Sequence, residues 1–219
     1  RDLVGRGTWM GVTEAGFFVG VTNQRTLRAP DPTKRSRGDV VMAALRLGES
    51  ASVNAMLTQL DGRDYNAFNL MWGDAAGLYV AYARDGERAL RMEVVPPGAH
   101  VLPNDVLDSP DFFKVVRAQA LLRDVANDTP EACLTRLSEV LADRATVSLD
   151  SIARPPEGSA LSPALLRELS ALCVRTPSYG TRSSALIALV PGGVSAYRYA
   201  DGPLETTPFV DVRPLFSAA

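Results

Sequence analysis

The sequence predicts a layered α+β domain with mostly antiparallel sheets, and three observations carry this. Strand-like runs fill the first third, helical periodicity dominates the middle, and strand-like runs return at the end. No stretch alternates strand and helix as a parallel βαβ sheet requires. The connections between the early strands are short and contain Gly, as antiparallel hairpins need.

Taken in order, "TWMGVT" and "GFFVGVT" are β-rich runs joined by "EAG", a hairpin-length turn. "RAPDPTKRSRGD" (28–39) is polar, basic and Pro-containing, and reads as a loop. A helical pattern covers Val40 to Leu45. A second, opened by a serine, places Val53, Met56, Leu57 and Leu60 on one face. "YNAFNLMWG", "GLYVAYA" and "RALRMEVV" then form a meander across the turns "GDAAG" and "RDGE". Ser109-Pro110, Thr129-Pro130 and Ser162-Pro163 each predict a helix start, with a hydroxyl at N-cap and Pro where a missing N–H does no harm. Residues 171–175, 183–190 and 193–199 are the closing strands. There are no repeats and no low-complexity tracts, so residues 1–219 read as one domain.

The bulk properties narrow the function classes. With 46% hydrophobic and 22% charged residues, the chain has the balance of a protein with a sizeable core. A net charge of −2 lacks the basic footprint of a nucleic-acid binder. No apolar run approaches the ~20 residues of a membrane span, so no integral membrane segment is expected. Cys133 and Cys173 are too few for a disulfide framework and have no metal-ligand spacing, which points to a reducing, cytoplasmic setting without a metal. The chain opens "RDLVGRGTWMGV", with no Met, and Arg1 reads as an internal residue of a longer product.

Among chemistry-bearing residues, His100 is the only histidine, so a Ser-His-Asp or Cys-His system has to pass through it; "PPGAHVLPND" around it reads as a turn. "KRSRGD" reads as a solvated loop rather than a phosphate cradle. Polar residues at strand ends say more. Asn23 closes "GVTNQR", Asn104 follows in "HVLPND", and Arg182 stands in "YGTRSS". Each alone is ordinary turn chemistry. Together they supply two amides and a guanidinium, the donor types of an oxyanion site.

Five blocks stand out together: "GTWMGVTEAGFFVGVTNQR" (7–25), "RSRGDVV" (35–41), "YNAFNLMWGD" (65–74), "VLPNDVLDSPDFFKV" (101–115) and "CVRTPSYGTRSSALIAL" (173–189). Their order and register resemble the NRDE family, named for an Asn-Arg-Asp-Glu motif and also called the transport and Golgi organisation protein 2 family. The resemblance implies a four-layer αββα sandwich similar to the N-terminal nucleophile (Ntn) hydrolases. It implies a Met-Cys start and an Asn-Arg-Asp-Glu motif upstream of Arg1, with the unmasked cysteine as nucleophile. By analogy with choloylglycine hydrolases and penicillin V acylases, Asn23 is expected to stabilise an oxyanion, Asn104 to contact the oxyanion or substrate carbonyl, and Arg182 to polarise the thiolate. Trp9, Phe68, Tyr179 and Thr181 are expected around the substrate. Gln24 and Pro103 depart from the family's aromatic and serine at those positions and imply a different pocket shape.

Two functions follow from the resemblance. One is hydrolysis of an amide C–N bond. The other is non-catalytic carriage of haem or an acyl-CoA or lipid-like amphipathic ligand, haem being cargo rather than a resident cofactor; this matches the family's link to haem and lipid homeostasis.

Overall fold

The structure, a computed structural model, describes residues 7–26, 29–152 and 161–218. Among these residues the chain is α+β, with one five-stranded and one three-stranded antiparallel sheet and five α-helices. It divides into two compact units. The first takes the described residues up to Pro97 together with 104–107 and 189–195; the second takes 98–103, 108–188 and the described residues from 196 onward.

The first unit is built on a meander, β1 (Met10–Val12), β2 (Phe18–Asn23), β3 (Phe68–Asp74), β4 (Gly77–Ala83) and β5 (Arg91–Val95), paired in chain order. Register puts Val19 opposite Trp72 and Val21 opposite Leu70, with Ala81 and Ala83 opposite Leu70 and Phe68 from the other side. Because side chains alternate along a strand, these residues share one face. Helices α1 (Arg37–Leu47) and α2 (Ser50–Gln59) add Val40, Val41, Ala44, Val53 and Leu57 to the same core. Trp72 is fully buried, stacks on Tyr79 and donates its indole N–H to Asn54 Oδ1 at 3.1 Å, so its one polar atom is satisfied.

Capping sets the helix ends. Ser36 accepts from Gly38 N at the start of α1, and Gly48 ends it in the left-handed region at φ +69°. The serine expected to open α2 is its first helical residue, and the N-cap, Glu49, caps nothing with its side chain. Asp74, at the end of β3, instead accepts from Ser50 N at 2.7 Å.

The second unit holds α3 (Phe113–Leu121), α4 (Pro130–Ala142), α5 (Pro163–Glu168) and the sheet of β6 (Ser184–Val190), β7 (Gly193–Ala200) and β8 (Val210–Asp211); the tip joining β6 to β7 is grouped with the first unit. Its helices enclose a small core of Ala118, Leu122 and Val140. Arg117 on α3 also grips Asp143, the C-cap of α4, at 2.7 Å, and Arg136 takes Asp128 through two nitrogens at 2.7 and 2.9 Å.

Two of the three hydroxyl-Pro starts open helices, with Thr129 and Ser162 accepting from Ala132 N and Leu165 N. Ser109-Pro110 does not. It forms a single turn closed by Phe112 N to Ser109 O, after which Phe112 is extended and α3 begins at Phe113. Residues 171–175, expected as a strand, form no ladder. Cys173 N bonds Asp143 O and Val174 pairs with Thr181, so only an isolated bridge between Arg175 and Gly180 remains.

Candidate functional site

The richest polar cluster lies at one end of the five-stranded sheet, where β2 ends, β3 begins and β4 ends. Register aligns Thr22, Asn69 and Tyr82 side by side on the face opposite the apolar core. Asn69 is completely buried in the run "AFNLMW", and burying an amide is costly unless its polar atoms are paired. Here they are. Its Nδ2 donates to Asp105 O at 2.7 Å and Thr22 Oγ1 at 3.2 Å, and its Oδ1 accepts from Gln24 Nε2 at 2.7 Å.

The strand end and the loop at 104–107 are thereby fastened together. Arg25 N donates to Asn104 O at 2.8 Å, and Asn104 Nδ2 donates to Asn23 O at 2.7 Å. Leu107 N donates to the Tyr82 hydroxyl at 3.1 Å, and burial raises that phenol's pKa, which keeps it a neutral hydrogen-bonding group. Arg84 adds positive charge, reaching Gln24 Oε1 at 3.3 Å and the Asp105 carboxylate at 3.7 Å.

Asn23 and Asn104, 81 residues apart in sequence, are thus brought together. Both side chains are exposed. Among the described residues the Asn23 carboxamide makes no hydrogen bond, and Asn104 commits one of its two N–H groups. The corner therefore presents amide donors to solvent on a rigid support, which is the chemistry of a site that holds a carbonyl oxygen or an anion.

Trp9 stands at the same sheet end: its carbonyl accepts from Val21 N at 2.8 Å, two residues before Asn23, and its side chain is 50% exposed. Phe68 is fully buried within the core, edge-to-face with Tyr65.

The other predicted residues belong to the second unit. Their turn is closed by Thr176, whose Oγ1 donates to Tyr179 O at 2.7 Å and accepts from Tyr179 N at 2.9 Å. Thr181 locks its base, accepting from Val174 N through Oγ1 and donating its own N–H to Val174 O. Tyr179 is 63% exposed, and Arg182 is exposed with no hydrogen bond or ion pair among the described residues. The neighbouring ion pair belongs instead to Arg175, which reaches Glu205 at 2.5 Å.

His100, in the second unit, meets Asp108 at 2.5 Å through Nδ1. That carboxylate also accepts from Val101 N and Gln119 Nε2. Among the described residues no group of His, Cys, Asp or Glu is arranged to hold a metal ion, and no helix is long and apolar enough to cross a membrane.

The residues missed from sequence are Asn69 and Arg84; Gln24 was noted only as a change of pocket shape, not as the side chain that binds Asn69. A polar side chain inside the apolar run of β3 was the available signal for Asn69.

Comparison with known proteins agrees with the five-block resemblance. A family model described as Transport and Golgi organisation 2 matches residues 1–197. The Transport and Golgi organization protein 2 homolog of Bos taurus is 29% identical over 196 residues, covering 85% of this chain and 69% of the relative. The homolog of Homo sapiens is 29% identical over 201 residues, with the same coverage of both chains. With the match extending from the first residue into β7, the chain belongs to the Transport and Golgi organisation 2 family.

Proposed function

We propose that the two sheets are the inner layers of an Ntn-hydrolase-like αββα sandwich, and that the chain supports hydrolysis of an amide C–N bond by an N-terminal cysteine encoded outside these 219 residues. The observation that carries this is the convergence of Asn23 and Asn104 on one sheet end, with amide N–H groups uncommitted. In this reading they hold the oxyanion formed when the thiolate attacks the carbonyl. Arg182, without a partner among the described residues, favours the thiolate by its charge. The setting is cytoplasmic, in keeping with two unpaired cysteines.

The test uses full-length protein with its N-terminal cysteine free. A β-lactone probe is expected to label that cysteine, and Asn104→Ala to slow labelling about 10²-fold, the usual effect of removing one oxyanion donor. Arg182→Ala is expected to slow labelling at neutral pH while leaving the melting temperature unchanged. An unlabelled cysteine, or labelling indifferent to Asn104, rejects the hydrolase.

A cleft in the second unit favours the carrier as a second reading. It has a volume of about 360 Å³, with Leu149, Ala164, Leu165 and Pro177 as walls and the Arg167–Glu168 pair at its edge. That is a size suited to part of an amphipathic ligand. Saturable micromolar binding of haem or an acyl-CoA, weakened by Leu165→Asp, supports carriage; non-saturable binding rejects it.

A further inference from the structure

The motif "RSRGD" has no part in the asparagine corner, yet the fold gives it a definite place. Gly38, in the first turn of α1, lies against Gly7: a Cβ on Gly7 would stand 2.9 Å from Gly38 Cα, and one on Gly38 would stand 3.1 Å from Gly7 Cα. Real Cβ atoms essentially never stand at 2.9 Å from backbone and seldom at 3.1 Å, so two glycines allow α1 to sit directly on the segment leading into β1. Trp9 and Arg37 follow and precede these glycines. The Arg37 guanidinium carbon consequently lies 5.7 Å from the Trp9 ring centroid.

Helix stability does not account for Arg37. It is the first residue after the N-cap, where the helix dipole disfavours a cation. It is partly buried, and desolvation lowers its pKa from the ordinary arginine value. Other half-buried arginines offset that cost with a carboxylate, as Arg117, Arg136 and Arg198 do with Asp143, Asp128 and Glu131. Arg37 makes no hydrogen bond and no ion pair among the described residues; the Trp9 ring is its one partner. Asp39, two residues on, projects from a different side of the helix and does not reach it. With its guanidinium carbon over the indole and no hydrogen bond made among the described residues, Arg37 keeps N–H groups available, and their fork matches the paired oxygens of a carboxylate or phosphate. The half-exposed indole offers an apolar surface beside it.

We propose that Trp9 and Arg37 form a recognition site for an oxyanion carried on an apolar or planar body, with Arg37 holding the oxygens in a two-pronged grip and Trp9 covering the body. The site stands at the sheet end that also carries Asn23. It deepens the proposed function by naming the ligand's charge and rests on that reading for its place beside the reacting carbonyl. Binding at the site needs no turnover, so the two stand or fall separately. A chain that binds the probe here, while its full-length form stays unlabelled, loses the hydrolase and keeps the site.

The two tryptophans make the test direct, since Trp72 is fully buried and Trp9 is half exposed. Acrylamide quenching of the intrinsic fluorescence therefore reports Trp9. Phenyl phosphate or benzoate is expected to protect Trp9 saturably, and neutral benzamide at equal concentration is not. The stronger of the two anions identifies a phosphate- or carboxylate-bearing ligand. Arg37→Gln is expected to weaken protection about tenfold or more, the scale of one charge-assisted hydrogen-bonded contact, with an unchanged melting temperature. Arg37→Lys, which keeps the charge and loses the fork, is expected to fall between, and decides the question should the Gln variant not fold. Equal protection by benzamide, protection unchanged in both variants, or no saturation by either anion overturns the site.

Discussion

The two units are held together by different physics. Among the described residues every buried aromatic ring, Phe17, Tyr65, Phe68, Trp72 and Tyr82, belongs to the first unit, layered around a central strand paired on both edges. Of the described residues, the second unit buries only smaller apolar side chains, among them Ala118, Leu122 and Val140 between α3 and α4, and has arginine–carboxylate pairs tying its elements. Burial of apolar area is insensitive to salt and pH, and it fails when volume is removed. Charge pairs tolerate changes of shape better and fail when a proton arrives. The first unit should therefore respond to cavities and the second to acid.

The largest test of that contrast is Trp72→Ala. It empties the middle of β3, unstacks Tyr79 and leaves Asn54 without its donor. The expected loss is about 3–5 kcal/mol, read as a drop in urea midpoint. A loss under about 1 kcal/mol would mean that the first unit is not organised around this strand.

Asn69→Ala comes next and asks whether the polar corner is structure or chemistry. The substitution removes the acceptor of Gln24 Nε2 and the donor to Asp105 O beneath the Asn23–Asn104 contact. A cost of about 2 kcal/mol is expected, together with faster amide exchange at Arg25, whose N–H bonds Asn104 O. Unchanged exchange there would show that the loop at 104–107 is held without Asn69.

Such effects mark where the sequence was readable. The meander was legible because β2, β3 and β4 carry apolar runs bounded by Gly-containing turns, and α4 and α5 because Thr129 and Ser162 cap as their Pro neighbours suggest. Ser109-Pro110 carries the same local signal but opens only a turn, since Phe112 takes extended angles (φ −103°, ψ 113°) before α3. Local chemistry cannot report that choice. "ALCVR" is apolar like a strand, yet its backbone partners are Asp143 and Thr181, set by folding at long range. The same holds at the site. Asn23 and Asn104 were visible as strand-end amides, whereas Asn69, which fastens them, is one polar letter inside an apolar run. Arg37 was legible as a charge within a basic cluster; its burial and its lack of a carboxylate exist only in three dimensions.

The smallest effect sharpens the comparison from the second unit. Asp143→Asn removes the charge that Arg117 grips, while its Oδ1 can still accept from Ala145 N. The side-chain hydrogen bond from Arg117 lowers the Asp143 pKa below its ordinary 3.8. A carboxylate whose pKa is lowered on folding contributes stability that is complete above the unfolded value and is lost as pH falls through the folded one. The wild-type chain is therefore expected to exceed the variant by about 1–2 kcal/mol from neutral pH down to about 4, the range for a hydrogen bond to a charged group. Below that the gap closes as Asp143 protonates and both chains carry a neutral side chain. Urea midpoints of the two chains measured from pH 7 to pH 2.5 decide it. A gap that stays constant through the acid range would assign the loss to shape rather than charge, and the second unit would then depend on packing as the first does.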